Sequence, residues 1–89
     1  MQIRASHILV ATFDQAQAIK TQLDGGADFA QLAKQYSKCP SGKQGGDLGF
    51  FGPGRMVQAF DTAARALTPG STSGPVQTQF GYHIILRTT

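Results

Sequence analysis

A chain of 89 residues and 9.4 kDa is the size of one small domain, so residues 1–89 are read as a single unit with no separate regulatory domain. With 40% hydrophobic residues, six Phe and two Tyr it can close one core with a shallow cleft, and five Asp without any Glu against four Lys and four Arg give a net charge of +3. The lone Cys39 excludes an intrachain disulfide, one Cys and two His are too few for a structural zinc site, and the longest apolar run, Ile8–Ala11, falls far short of the ~20 residues that span a bilayer. No metal, no cofactor and no membrane span are expected. A cytoplasmic setting fits the composition, or a secreted or periplasmic one if the chain is cut from a longer protein.

In chain order, residues 2–10 alternate, with Ile3, Ala5, His7 and Leu9 on one side and Arg4, Ser6, Ile8 and Val10 on the other. This predicts a strand, apolar on both sides from Ile8 onward and so central in its sheet. Asp14 with Gln17 has the spacing of a capping box, and Phe13, Ala16, Ile19 and Leu23 form the stripe of a helix ending at Gly25-Gly26. Asp28 and Gln31 repeat that spacing before Phe29, Leu32, Ala33 and Tyr36, the stripe of a second helix over 29–37. From Lys38 to Gly54 the chain is glycine-rich and reads as loop, interrupted by a brief strand at Leu48–Phe51. Val57, Phe60, Ala64 and Leu67 mark a third helix that stops before Pro69-Gly70. Gly74–Gln77 and Gly81–Thr88 are the last strands, joined through Thr78, Gln79 and Phe80. In the final strand His83, Ile85 and Arg87 face one way and Tyr82, Ile84 and Leu86 the other.

The order β-α-α-β-α-β-β is too irregular for a wound parallel sheet and indicates an α+β domain with a mainly antiparallel four-stranded sheet. If the first and last strands pair in the middle, His7 and His83 lie side by side on one face. Burying two imidazoles together favours neutral rings sharing a hydrogen bond. Each histidine alone, like Cys39 alone, also has the plainer reading of a half-buried structural residue. The eight basic residues are spread along the chain, and Lys34, Lys38 and Lys43 are the ones close enough in sequence to form a patch. Nucleic-acid binding would need a basic stripe interleaved with aromatics and is not expected. Gly42-Lys43 is no phosphate loop, because Gln44 stands where a hydroxyl is required; its glycines predict a pliable segment, with Lys43 and Gly45 mobile.

Five segments carry a resemblance. His7-Ile8-Leu9-Val10, Cys39-Pro40-Ser41, Gly45-Gly46-Asp47-Leu48-Gly49, Met56-Val57 with Ala59-Phe60, and Phe80-Gly81-Tyr82-His83-Ile84-Ile85 stand in the order and spacing of the parvulin-type peptidyl-prolyl cis-trans isomerases. From about residue 3 to 88 the chain resembles a minimal, single-domain parvulin. The resemblance implies a parvulin-like fold of the FKBP-like superfold and accelerated rotation about X-Pro bonds in protein folding. It also implies no cofactor, a monomer, and proline-containing segments of unfolded or flexible proteins as partners.

By the same resemblance His7, Cys39, Thr78 and His83 form the catalytic set, the two histidines and Thr78 making a hydrogen-bond chain beneath Cys39. Leu48, Met56, Phe60 and Phe80 would receive the proline, with Val57 and Tyr82 at the border of the groove. Periodicity alone would instead put Leu48 and Phe60 in the core. Asp replaces the cysteine in some members of the family, which favours a noncovalent role for Cys39 over attack by its thiolate. The phosphate-directed branch carries a basic cluster after its first strand and a tryptophan-bearing module before it. Here that stretch, Val10-Ala11-Thr12-Phe13-Asp14, holds no Lys or Arg and the chain has no Trp, so no phosphopeptide preference and an uncharged residue before proline are expected. A chaperone module that binds proline-containing segments without turnover is the alternative reading. A Cys-His hydrolase is a further rival that lacks a recognisable third member.

Overall fold

The alternation of residues 2–10 becomes strand β1, Ile3–Val10, in a computed structural model that describes residues 1–89. Helices α1 (Phe13–Asp24) and α2 (Phe29–Tyr36) follow, then a 3-10 turn at Pro40–Gln44, strand β2 (Asp47–Phe51), helix α3 (Gln58–Ala66) and the strands β3 (Val76–Thr78) and β4 (Gly81–Arg87). The sheet order is β2-β1-β4-β3 with every neighbouring pair antiparallel, so the two terminal strands are its centre. The fold is α+β, as the element order indicated.

Because side chains alternate across a strand, the β1–β4 pair divides its residues between two cores. One face presents Ile8, Val10 and Ile84 to Ala16 and Ile19 of α1 and to Phe29, Leu32 and Ala33 of α2. The other presents Ile3, Ala5 and Ile85 to Phe51 and to Phe60 and Ala64 of α3. Two helices cover the first face and one the second. His7 and His83 belong to the second face by parity, and the pairing of Leu9 with His83 and His7 with Ile85 sets them diagonally across the two strands.

Three local expectations are corrected. The N-cap of α1 is Thr12 rather than Asp14: Thr12 Oγ1 accepts from the Gln15 amide while Gln15 Oε1 accepts from the Thr12 amide, a full capping box two residues earlier than predicted. Asp14 then lies in the first turn, where its charge favours the helix dipole. Asp28 does cap α2, accepting from the Gln31 amide. The second correction is the ordered turn inside the glycine-rich stretch. Pro40–Gln44 form a 3-10 turn in place of the expected loop, closed where Gly45 is buried and its amide donates to the Gly42 carbonyl.

Gly46 explains why glycine stands in this stretch. It adopts φ +85°, a Cβ there would run into the carbonyl oxygen of His7, and its own carbonyl accepts the His7 amide at 3.0 Å. The third correction is Thr78, which ends β3 instead of belonging to the connection and pairs with Gly81 across a two-residue turn. Both edge strands are unsuited to pairing with another chain: β3 is three residues long, and β2 is interrupted by a register shift beside Gly49 at φ +72°.

Candidate active site

The centre of the site follows from β1 and β4 alone. His7 and His83 are 6% and 4% exposed, their rings stack with centroids 5.1 Å apart, and Nδ1 faces Nδ1 at 2.9 Å. The β3–β4 turn adds the next link: Thr78 Oγ1 lies 2.7 Å from His83 Nε2 and accepts the Phe80 amide. Two neutral proton arrangements satisfy this chain. In one, the Thr78 hydroxyl donates to His83 Nε2 and His83 Nδ1–H to His7 Nδ1; in the other each of these protons runs the opposite way. With both rings charged, N–H would face N–H between them.

The environment enforces neutrality. Burial, and then repulsion from His83, pushes His7 down to about 4, and burial also lowers His83. Phe60 meets both rings edge-on, at 5.5 Å from His7 and 5.2 Å from His83, so the same apolar side chain that belongs to the α3 core excludes water from the pair. No aspartate lines this groove. The aspartate of the Gly45–Gly49 motif is occupied elsewhere: Asp47 pairs with Arg4 and accepts the Gly49 amide, and the Arg4 hydrogen bond holds its carboxyl below the usual range.

Cys39 reaches the groove through backbone bonds at the open end of β1. Ser37 Oγ accepts the amides of Leu9 and Cys39, and the Lys38 amide donates to the Leu9 carbonyl at 2.8 Å. Its sulfur accepts a hydrogen bond from Ser41 Oγ at 3.3 Å and none joins it to either histidine. The sulfur thus sits beside the imidazole chain without a base attached to it. That geometry removes the feature a Cys-His hydrolase requires.

Around these groups lies an open groove of about 560 Å³. Among its walls are Leu48, Met56, Val57, Phe60 and Phe80, together with His7, Cys39 and His83. Of the residues expected at the site, Thr78 does not line the groove and instead hydrogen-bonds His83, which does. Tyr82 is a correction. It packs on the opposite core and meets Phe13 edge-on at 6.0 Å, because it is the strand neighbour of His83 and points the other way. Leu9, Lys38, Pro40 and Arg55 also line the groove and were missed. Their signal was adjacency: Lys38 and Pro40 flank Cys39, and Arg55 precedes Met56.

A family model for the PPIC-type PPIase, or rotamase, domain matches residues 7–89. The chain belongs to the PPIC-type peptidyl-prolyl cis-trans isomerases, the parvulins. It is 61% identical over 84 residues to the foldase protein PrsA of a Geobacillus species, covering 93% of this chain and 30% of that protein. The parvulin of Nitrosopumilus maritimus superposes with a TM-score of 0.89 at 44% identity, over 99% of this chain and 96% of its own. A SurA-like chaperone structure from Campylobacter jejuni, one of a pair that includes a periplasmic protein, gives 0.94 at 43% identity over 99% of this chain and 38% of that one. The chain therefore spans just under a third of the length of the curated relatives it matches, and nearly all of the Nitrosopumilus maritimus parvulin.

Proposed function

We propose that the groove binds a proline of a flexible protein segment and lowers its rotation barrier without forming a bond to it. An amide rotates over ~18–20 kcal/mol, and an X-Pro bond exchanges over tens to hundreds of seconds. Bringing that to milliseconds takes about four powers of ten, or ~5.4 kcal/mol. The twisted amide has lost its resonance and some of its charge separation, so an apolar grip on the ring and a few fixed dipoles suffice.

Leu48, Met56 and Phe60 supply the grip, with Phe80 and Val57 at the mouth; Met56 adapts its shape and Phe60 offers a flat face. His7, His83 and Thr78 hold the floor dry, neutral and rigid, and Cys39 faces the rotating carbonyl. The observation that carries a noncovalent course is the Cys39 sulfur, hydrogen-bonded to Ser41 and to no base. The residue before proline is expected to be uncharged, since the short connection from Val10 to Phe13 contains no cation.

Kinship with PrsA and with a SurA-like chaperone supports a role in the folding of exported proteins and an extracytoplasmic setting, in place of the cytoplasmic one that composition suggested. Exchange NMR on a short X-Pro peptide tests the reading: cis-trans exchange accelerates in the presence of the protein. Shifted lines without faster exchange would leave the non-catalytic chaperone module instead. Cys39→Asp retains measurable activity, and complete loss with the fold intact would favour a nucleophilic sulfur.

A further inference from the structure

The net charge of +3 is not dispersed over the surface. Three of the eight basic residues are neutralised in ion pairs, Arg4 with Asp47, Lys20 with Asp24 and Arg65 with Asp61. Arg87 donates to the carbonyls of Arg65 and Leu67. The remaining four, Lys34, Lys38, Lys43 and Arg55, are exposed and form no ion pair. Each lines one or both of two adjoining spaces. Lys38 and Arg55 line the catalytic groove, while Lys34, Lys38 and Lys43 line a separate hollow of about 320 Å³ that shares Lys38, Cys39 and Pro40 with it.

No acidic residue lines either space. The two aspartates without an ion pair are in first-turn or capping positions at the starts of α1 and α2, with Asp28 at the opposite end of α2 from Lys34. A cation at a helix C-terminus is favoured by the dipole, which accounts for Lys34 and Lys38. It does not account for Lys43 in the 3-10 turn or Arg55 before α3, so four cations from three separate chain segments form the rim of two adjoining spaces that meet at Lys38.

We propose that this rim reads acidic residues in the client: the hollow receives Asp or Glu side chains a few positions away from the proline, while the residue next to the proline stays uncharged. The inference rests on the isomerase reading of the groove and adds its substrate class. A segment whose proline ring sits against Leu48, Met56 and Phe60 and which leaves past Cys39 enters the hollow directly, since Lys38, Cys39 and Pro40 wall both. Exposed charges of this kind act chiefly on encounter rate and orientation, and salt weakens them.

The test uses an alanine-based peptide with one X-Pro bond and two copies of it, with paired Asp three and four positions before or after the proline. One of the acidic copies is exchanged about five-fold faster than the neutral peptide at low ionic strength, as kcat/KM. That ratio returns towards one near ~1 M salt, where screening acts within about 3 Å. It also returns towards one when Lys34→Gln and Lys43→Gln are combined. Lys34→Glu with Lys43→Glu transfers the preference to a Lys-bearing copy, a reversal that partial unfolding cannot produce. Chemical-shift titration of the same peptides gives the ratio from binding, independently of turnover. Equal ratios in wild type and the double Gln variant, or an advantage untouched by salt, would overturn the proposal. Acceleration of the neutral peptide with no acidic advantage sinks this inference alone, whereas no acceleration of any peptide sinks the isomerase reading.

Discussion

One face of the β1–β4 pair is closed by two helices over Ile8, Val10 and Ile84, while the other, offset by one residue in each strand, carries His7 and His83 beneath a single helix. The closed face buries no histidine and no charged side chain. On the open face two imidazoles are buried almost as deeply as the isoleucines beside them, at the edge of an open groove. The difference lies in coverage, since the backbone is shared. A sheet with helices on one side and a half-covered second side can keep a rigid pair of polar rings dry from below and accessible through their surroundings from above. The closed face supplies the stability that lets the open face hold a neutral histidine pair and a half-exposed apolar wall.

Breaking the closed face has the largest expected effect. Ile84 is fully buried, and Ile84→Ala removes about 2–5 kcal/mol of stability by transfer and cavity terms, while the folded fraction keeps its isomerase rate within about two-fold. Urea unfolding together with exchange NMR checks both halves; a rate that fell with the stability would show that the faces are not separable.

Acid attacks the open face instead. His7 titrates near 4 in the fold and near its ordinary 6.5 when unfolded, and His83 is shifted in the same direction. Between those values the unfolded chain binds more protons, so stability is fully present above about pH 6.5 and is lost as pH falls towards 4. The loss is on the order of 1–3 kcal/mol, read from urea midpoints between pH 7.5 and 5. Unchanged midpoints would mean that the pair accepts a proton without penalty.

Smaller changes sharpen the comparison. Met56 is half-buried against the second core, and Met56→Ala lowers kcat/KM about ten-fold with stability reduced by about 1 kcal/mol or less, an expectation for a wall that grips substrate more than it packs. A large loss of stability with little loss of rate would return Met56 to the core. Tyr82→Phe, on the closed face, leaves kcat/KM within about two-fold of wild type. A ten-fold loss there would place Tyr82 in the site after all.

Most of the fold was legible because it depends on short-range periods. The alternation in residues 2–10 and 81–88 placed His7 and His83 on one face once their strands were made neighbours, and the stripes of α1, α2 and α3 located the helices. Tyr82 shows that the same alternation outranked the family pattern: parity already put it opposite His83. Cap choice was less legible, since Thr12 and Asp14 are both suitable residues and the decision rests on which one has extended backbone geometry. The 3-10 turn was hidden because its Gly42 lies against the Ala33 carbonyl and Gly46, just beyond it, against His7, close approaches that no local pattern reveals.

By itself the sequence determined the α+β class, the parity that puts His7 and His83 on one face once their strands pair, and the parvulin motifs, whose resemblance added Thr78 to the histidines. These follow from spacings within an element or from motifs held in order along the whole chain. Only the tertiary structure decided that the Cys39 sulfur bonds Ser41 and no base, that Phe60 is both core and groove floor, and that the unpaired cations rim two adjoining spaces. The physical reason is distance along the chain. Lys34, Lys43 and Arg55 belong to segments whose separation in space is set by how the 3-10 turn and β2 pack on β1, and net charge carries no information about where its members stand.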